Sequence, residues 1–581
     1  MPSTRSSRPW IPKPEFDSDL PLGAGIDFSD PNSPLAPFYL RTVHLVAVGL
    51  LGFFFVIATF FPLWHTDVWG HMRYGQWMVE HRAIPDREPF CPWWDGRIPF
   101  TQFYTLTQLC MYGAYAAGER LAGGDDLQQM AGGVEMLRLL HALLTTARLG
   151  ILLAVFLRLS RSWPVSLLGV VAVSLLDLSN LAVFRPQTFG ELGFALLLLP
   201  LSRPTLSRRA LVLIPALLVV WANGHGSYVV AFVLLGAVLL GRLAELATSS
   251  EARVWPWRDS QTIRLLAALV LSITAVGLLN PYGFGLYTRT AALTSHSSLS
   301  AAVTEWQPLM FSWAKGWHWV FMFSLAAIAL TQLASRRPIP PHHLAVLLIF
   351  GVGAAVQNRF VIWWAMLVPW VLVPRWADLA AHWPARLTPT PSIPSFRKTA
   401  VAVALLFAIF MWSGPAGWAV SGSPASIGSA VSDGTPWELA REINLPGSGE
   451  AAWTHEMEKV LQEHYPGKVF TGTIMATPMQ GDYLMWALAP RVPVTYSFIH
   501  LFHPDYWEEL GLVGRGDPGW ADVLEKYRVN LLIVEAEYAA QLRGHLQKST
   551  GWKILLDETG DSAGKRDPLT RQLIAIRINP L

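Results

Sequence analysis

The sequence predicts an α-helical polytopic membrane protein with about 11 spans and one interfacial helix, followed by a C-terminal soluble α/β domain. The chain of 581 residues is 52% hydrophobic and only 15% charged, and its mean hydropathy is +0.33. That composition is too apolar for a soluble protein of this length. The net charge of +3 is too small to indicate a nucleic-acid partner, and two cysteines exclude a cysteine-rich metal cluster.

The apolar runs approach the roughly 20 residues that cross a bilayer as a helix. We expect spans at 43–63, 134–157, 163–182, 187–201, 209–222, 227–244, 262–279, 317–334, 342–357, 359–374 and 398–413.

Arginine placement predicts the orientation of these spans. Arginines are concentrated in alternate connections, such as 203–209 and 253–264, whereas the connections between them are arginine-poor. The positive-inside rule therefore predicts a cytoplasmic N-terminus and outward-facing intervening loops. This parity requires that 101–118 does not cross the bilayer. Its Gln102, Thr105 and Gln108 share one helical face, which favours an interfacial helix.

Composition also predicts the domain boundaries. Residues 1–40 are rich in Pro and Ser and are expected to form a disordered cytoplasmic tail. We expect a transmembrane domain over 41–413, with its first extracytoplasmic loop at 64–133. A linker rich in Gly and Ser follows at 414–432. Strand and helix patterns then alternate through 433–581, which predicts an extracytoplasmic α/β domain.

The loop after the first span contains the leading catalytic candidate, Asp67. A carboxylate at the membrane surface could deprotonate an acceptor hydroxyl or hold a divalent cation. The alternatives are an N-cap role or an ordinary loop residue among interfacial Trp side chains. His65 and His71 flank Asp67 and could share a metal ion with it, although their spacing is not diagnostic. Asp86 lies in a Pro-flanked turn that could aim a carboxylate at the same site, or be a plain surface turn.

Further polar residues lie at the predicted outward ends of other spans. Arg138, Arg185 and Arg359 present guanidinium groups suited to a lipid-linked phosphate, although each one alone could simply reach the interface. Asn223 and His225, in the stretch WANGHGSY, could bind sugar hydroxyls or satisfy freed backbone groups. Glu305 with Trp306 could form a carboxylate and stacking platform for a sugar, or be a chance pair.

Taken together, these motifs resemble a known superfamily. The stretch TDVWGHMRYGQWMVEHRAIPDREPF after the first span, with FRPQ, WANGHG, NPYG, EW and NRF later, resembles the GT-C membrane glycosyltransferases. The likeness is to mannosyltransferase-like and lipopolysaccharide core-sugar transferase-like bacterial branches, and it covers roughly 43–375 well. In those families an acidic residue just after the first span is functional, and Asp67 occupies the matching position.

The chain departs from that pattern in two places. Val68 follows Asp67, where many GT-C enzymes have a second acid. In the C-terminal domain, QGDYLMW and VTYSFIHLF stand where the subgroup has a Gly-Gly-Tyr-Leu segment and an Asp-Gly-Arg strand end.

The resemblance implies a hexosyl- or pentosyltransferase of the bacterial inner membrane. Such an enzyme moves a sugar, with inversion, from a polyprenyl-phosphate donor to a glycan, lipid or protein acceptor on the extracytoplasmic face. No cofactor is certain, although Asp67 and His71 could hold a divalent cation. The alternatives are a lipid or sugar transporter or flippase, and a non-catalytic membrane subunit that retains the fold.

Overall fold

The computed structural model describes residues 34–63, 67–248, 255–294, 303–310, 318–382, 392–431, 435–537, 539–559 and 571–581. Most of the predicted tail and His65 lie outside these ranges. Over the described residues the protein is mostly helical, with a small sheet near its C-terminus.

Helices make up the first part of the chain, because long apolar runs satisfy their backbone polar groups internally only as helices when water is absent. They are α1 Thr42–Phe60, α2 Asp67–His81, α3 Thr105–Ala122, α4 Asp126–Ser160, α5 Trp163–Leu176, α6 Leu178–Leu181, α7 Gln187–Leu201, α8 Ala210–Gly224, α9 Val229–Thr248, α10 Ser260–Leu279, α11 Gly285–Thr294, α12 His318–Ala334, α13 Pro341–Val356, α14 Val361–Ala381, α15 Phe396–Met411, α16 Gly414–Ser421 and α17 Ile427–Ala430.

Each of the predicted spans overlaps at least one of these helices, and 163–182 is divided between α5 and α6. Five helices in the described part of the chain are long and apolar enough to cross a membrane, or up to six if α15 and the bent α16 form one span. Five shorter apolar helices, among them α5 and α7, accompany them. The number of spans and their orientation therefore remain predictions. Helix α14 runs through the interior, since its side chains from Ile362 to Arg375 are buried on all sides.

The predicted interfacial segment 101–118 overlaps helix α3, which begins at Thr105. It packs along α2 and α4, with Gln108 buried and Leu106 exposed. The polar face therefore points into the protein, where Gln108 has the polar partner that a buried amide needs.

The C-terminal part contains α18 Trp437–Asn444, α19 Ala452–His464, α20 Pro478–Leu488, α21 Pro504–Arg515, α22 Trp520–Lys526 and α23 Ala540–Lys548. The strands are β1 Thr473–Ala476, β2 Val529–Glu535, β3 Trp552–Asp557 and β4 Gln572–Arg577. They form one sheet in the order β1-β2-β4-β3, in which only the β1–β2 pair is parallel. The predicted α/β pattern is therefore observed within this region. The predicted linker 414–432 contains α16 and α17, so it is partly ordered.

The C-terminal region packs onto α2 and the loop that follows it. Arg73 on α2 donates to the Ala489 carbonyl at 2.8 Å. The buried Glu88 carboxylate accepts from Ser497 at 3.1 Å and from the Tyr74 hydroxyl. Because Glu88 is buried, its pKa is raised, and these hydrogen bonds offset part of that effect. Helix α2 is thus joined to the C-terminal region directly through Arg73, and indirectly through Glu88, which bonds both Tyr74 and Ser497.

Candidate functional site

A cavity of about 440 Å³ lies between the helices and the C-terminal region. That volume is in the range of small-molecule sites. Six of the predicted site residues line it, and they come from stretches far apart in the sequence: Asp67, His71, Arg185, His225, Glu305 and Arg359. The C-terminal region contributes the opposite wall: Pro478, Tyr496, Phe498, Ile499 and His500.

Asp67 is the first residue of α2 and is half-buried at the cavity wall. The partial positive charge of a helix N-terminus stabilises a carboxylate there. His71 lies one turn later on the same side of the helix and also reaches the cavity. The Gln108 side-chain amide, 3.0 Å from His71 Nδ1, fixes the orientation of the ring. Tyr104 and Phe498 hold its faces, with ring centroids 4.5 and 4.6 Å away.

Arg185 and Glu305 form an ion pair inside the cavity. The Arg185 side chain is 7% exposed, whereas the Glu305 side chain is 30% exposed. The guanidinium is therefore enclosed while its carboxylate partner faces the open space. Arg185 also interacts electrostatically with Asp67, so the acid on α2 and the arginine before α7 share one electrostatic environment.

Arg359 lies at the start of the α14 segment, over the face of Trp306 at 5.4 Å from the ring centroid. Its Nε donates to the neutral Gln187 amide at 3.0 Å. Two backbone hydrogen bonds join the flanking chains, from Asn358 N to Gln307 O at 2.9 Å and from Leu309 N to Ala355 O at 3.1 Å. The EWQP and QNRF motifs are therefore one structural unit. In the described part of the chain, the hydrogen-bond and stacking partners of Arg359 are both uncharged.

His225 sits at the break between α8 and α9. Its Nδ1 accepts from the Ser227 backbone N–H at 3.0 Å, so the ring proton is on Nε2 in the neutral tautomer. Tyr104 packs edge-on against the ring at 5.3 Å. The neighbouring Asn223 accepts from Asn280 at 3.1 Å and donates to the Val219 carbonyl at 2.8 Å. The hydrogen bond between Asn223 and Asn280 thereby joins the NGHG and NPYG stretches.

The three remaining predicted residues lie outside the cavity lining. Arg138 forms a buried ion pair with Glu135 at 2.6 Å. Asn223 makes the structural hydrogen bonds given above, and Asp86 is exposed in the loop after α2. Substrate binding by these three stays a prediction, and the geometry gives each a local structural role or none.

Several cavity residues were not singled out in the sequence. Tyr104, Tyr496, Phe498 and His500 are in the cavity wall, but each reads as an ordinary aromatic in its own stretch. No local pattern marks them, because the C-terminal region approaches α2 only through the tertiary fold. A second missed group is the buried triad in which Arg148 meets Asp177 at 3.0 Å and also pairs with Glu191. The sequence feature that could have identified this triad is the presence of three ionisable residues in adjacent apolar runs.

The predicted divalent cation finds limited support in the donor set. Among the described residues no group of three or more His, Cys, Asp or Glu side chains is arranged to hold a metal ion. Asp67 and His71 share the cavity, but they would need ligands from solvent or substrate to complete a coordination sphere. The cation therefore stays a prediction.

Comparison with known proteins identifies no family. No family model matches the chain, and no curated protein matches it. Among solved structures it is similar to the apo crystal structure of the Archaeoglobus fulgidus oligosaccharyltransferase. The two are 11% identical, with a TM-score of 0.46, over 85% of this chain and 70% of that chain. A likeness of this size assigns neither a family nor an activity.

Proposed function

We propose that this chain is a membrane glycosyltransferase of the GT-C type, which moves a sugar from a polyprenyl-phosphate donor to an acceptor on the extracytoplasmic face. The observation that carries the proposal is the convergence at one cavity. Two acids, two arginines and three histidines from well-separated parts of the chain meet there, beside the aromatic Trp306. Convergent polar groups in an otherwise apolar pocket are the usual form of a substrate site.

The arginines fit the phosphate end of a lipid-linked donor. Guanidinium groups bind phosphate oxygens through charge-assisted hydrogen bonds. Arg359 is the stronger candidate, because its described partners are the neutral Gln187 amide and the Trp306 ring. Arg185 is already neutralised by Glu305 and is better suited to shaping the field around Asp67.

Asp67 fits the role of general base. In the proposed transfer, an acceptor hydroxyl attacks the anomeric carbon while the bond from that carbon to the phosphate oxygen breaks. The hydroxyl proton passes to the Asp67 carboxylate, and the negative charge that develops on the leaving phosphate is stabilised by Arg359. Trp306 could support a sugar ring through its apolar face.

The direct test is transfer by the purified full chain in liposomes that contain a polyprenyl-phosphate sugar and a soluble acceptor glycan. Asp67→Asn keeps the side-chain shape but cannot accept the proton, so turnover is expected to fall by roughly 10²–10⁴-fold. Asp522→Asn makes the same change at an exposed position of α22 and should leave turnover unaltered. Unchanged turnover in the Asp67 variant would remove the catalytic assignment.

A further inference from the structure

Asp482, in the C-terminal region, is the least compensated polar side chain near the cavity. It lies on α20 and is 0% exposed. Neither of its carboxyl oxygens has a hydrogen-bond partner among the described residues. A buried carboxylate without a partner is strongly unfavourable, so such a group either binds something or carries a proton.

The position of Asp482 relative to Asp67 follows from helix geometry. A Cβ on Gly70 would collide with Asp482 Oδ1, so the carboxyl group lies directly against α2 at that residue. Gly70 follows Asp67 by three positions and therefore lies on the same side of the helix. Asp67 is the charged group whose field reaches Asp482, and the buried Tyr496 hydroxyl senses both acids.

We infer that Asp67 and Asp482 form one cation-binding pair at the junction of α2 and α20. Asp482 is buried without a partner one helical turn from Asp67, and a second carboxylate beside it is unfavourable unless a positive charge lies between the two groups. That charge is either a single shared proton or a divalent metal ion.

This pairing has a consequence for the C-terminal region. Without the cation, the two carboxylates repel each other across the interface that seats α20 on α2. With it, the same contact becomes cohesive. The pair therefore makes the packing of α20 on α2 dependent on cation occupancy. Its effect on sugar transfer rests on the proposed function, but the pair itself does not.

The proton form predicts a definite pH dependence. Burial, with the charge of Asp67 as a second cause, raises the pKa of Asp482 well above its usual range. A raised folded-state pKa means that the stabilisation is complete at low pH and is lost as pH rises through that folded-state value. The stability of the wild-type protein in chelator is therefore expected to fall as the pH rises above the range in which an ordinary aspartate ionises.

Other ionisable groups on the surrounding elements also contribute to the pH dependence of stability. They are carried by α2, α18, β2 and the segment after α20: His71, Arg73, Tyr74, Glu80, His81, Glu438, Arg441, Glu442, Glu535 and Tyr496. All of them are retained when Asp482 alone is changed. The slope of stability against pH, compared between variants, therefore isolates the pair.

The test is thermal unfolding of the full chain in detergent, with no substrate present, at a series of pH values in EDTA and then with MnCl₂. Asp482→Asn should flatten the fall in melting temperature with rising pH. Asp67→Asn should flatten it in part, because it removes the charge of Asp67 while Asp482 stays buried. The double variant should match Asp482→Asn, because the two groups titrate as one unit. Asp522→Asn should retain the full wild-type slope.

The arms with and without metal distinguish the two cations. If Mn²⁺ raises the melting temperature of the wild type at high pH and raises the melting temperature of neither variant, the bound cation is a metal ion. A slope unaffected by Mn²⁺ identifies a shared proton. A wild-type slope in Asp482→Asn, or flattening by Asp482→Asn alone, overturns the pair. Because no sugar transfer is measured, failure here is separate from failure of the proposed function.

Discussion

Arg359 shows how one residue can be poised for an anion while remaining fixed in place. Its guanidinium lies over the ring of Trp306, which fixes the orientation of the guanidinium plane. The neutral side-chain amide of Gln187 accepts a hydrogen bond from its Nε. The residues that the structure describes give its other N–H groups no partner, so these groups can donate to a planar or tetrahedral anion. An arginine tied up by a carboxylate, as Arg185 is by Glu305, has less to offer a phosphate.

Two substitutions of Arg359 should separate the contribution of its positive charge from that of its planar, forked shape. Arg359→Gln removes the cation and is expected to lower kcat/KM for the lipid donor by roughly 10²–10³-fold. Arg359→Lys should fall between that variant and the wild type, since lysine keeps the charge but loses the fork and the planar stacking on Trp306.

Initial rates over a range of donor concentrations provide the measurement for both variants. Arg120→Gln, at an exposed position on α3, is the matched control. Equal rates for Arg359→Gln and this control would show that Arg359 does not contact the donor.

Helix α2 is the element on which the site depends. The side that carries Asp67 and His71 to the cavity also includes Gly70 and Tyr74, which contact Asp482 and Phe498 of the C-terminal region. Arg73 donates to the Ala489 carbonyl of the same region. The close approach at Gly70 is what admits the Asp482 carboxyl group. Small shifts of α2 therefore change the cavity and the interface together.

Gly70→Ala tests that packing. The added methyl group meets both Asp482 and Met485, so we expect a loss of about 1–3 kcal/mol in the free energy of unfolding and a loss of transfer activity. Gly113→Ala, on α3, adds the same group where nothing lies within 4 Å. There helix propensity should add up to about 1 kcal/mol.

Both Gly70→Ala and Gly113→Ala can be measured by thermal unfolding of the purified chain. If the two variants proved equally stable, α20 would not be seated on α2 as described.

At the scale of the whole molecule, a buried ionic cluster ties together helices that are otherwise joined by apolar packing. Arg148 on α4 pairs with Asp177, between α5 and α6, and with Glu191 on α7. All three side chains are buried. Such a cluster fixes the register of three helices, and removal of its cation leaves two uncompensated carboxyl groups.

Arg148→Met should therefore lower the free energy of unfolding by about 3–5 kcal/mol. Arg158→Met, further along the same helix, removes an exposed arginine that donates only to the Leu199 carbonyl, and should cost far less. Chemical unfolding in detergent, followed by tryptophan fluorescence, gives both values. A small effect for Arg148→Met would mean that the cluster is not needed for helix packing.

The sequence by itself determined the apolar helices, the α/β character of the C-terminal region and six of the residues that line the cavity. These features follow from local properties: run length, periodicity and the cost of placing Asp67, Arg185 or Arg359 near a membrane without a use. The tertiary structure decided which polar residues meet. It placed Arg138 and Asn223 in local contacts, joined Arg185 to Glu305, and brought Asp482 against Gly70. Such contacts depend on how elements that are distant in the sequence pack together, and neither hydropathy nor residue spacing along the chain predicts that packing.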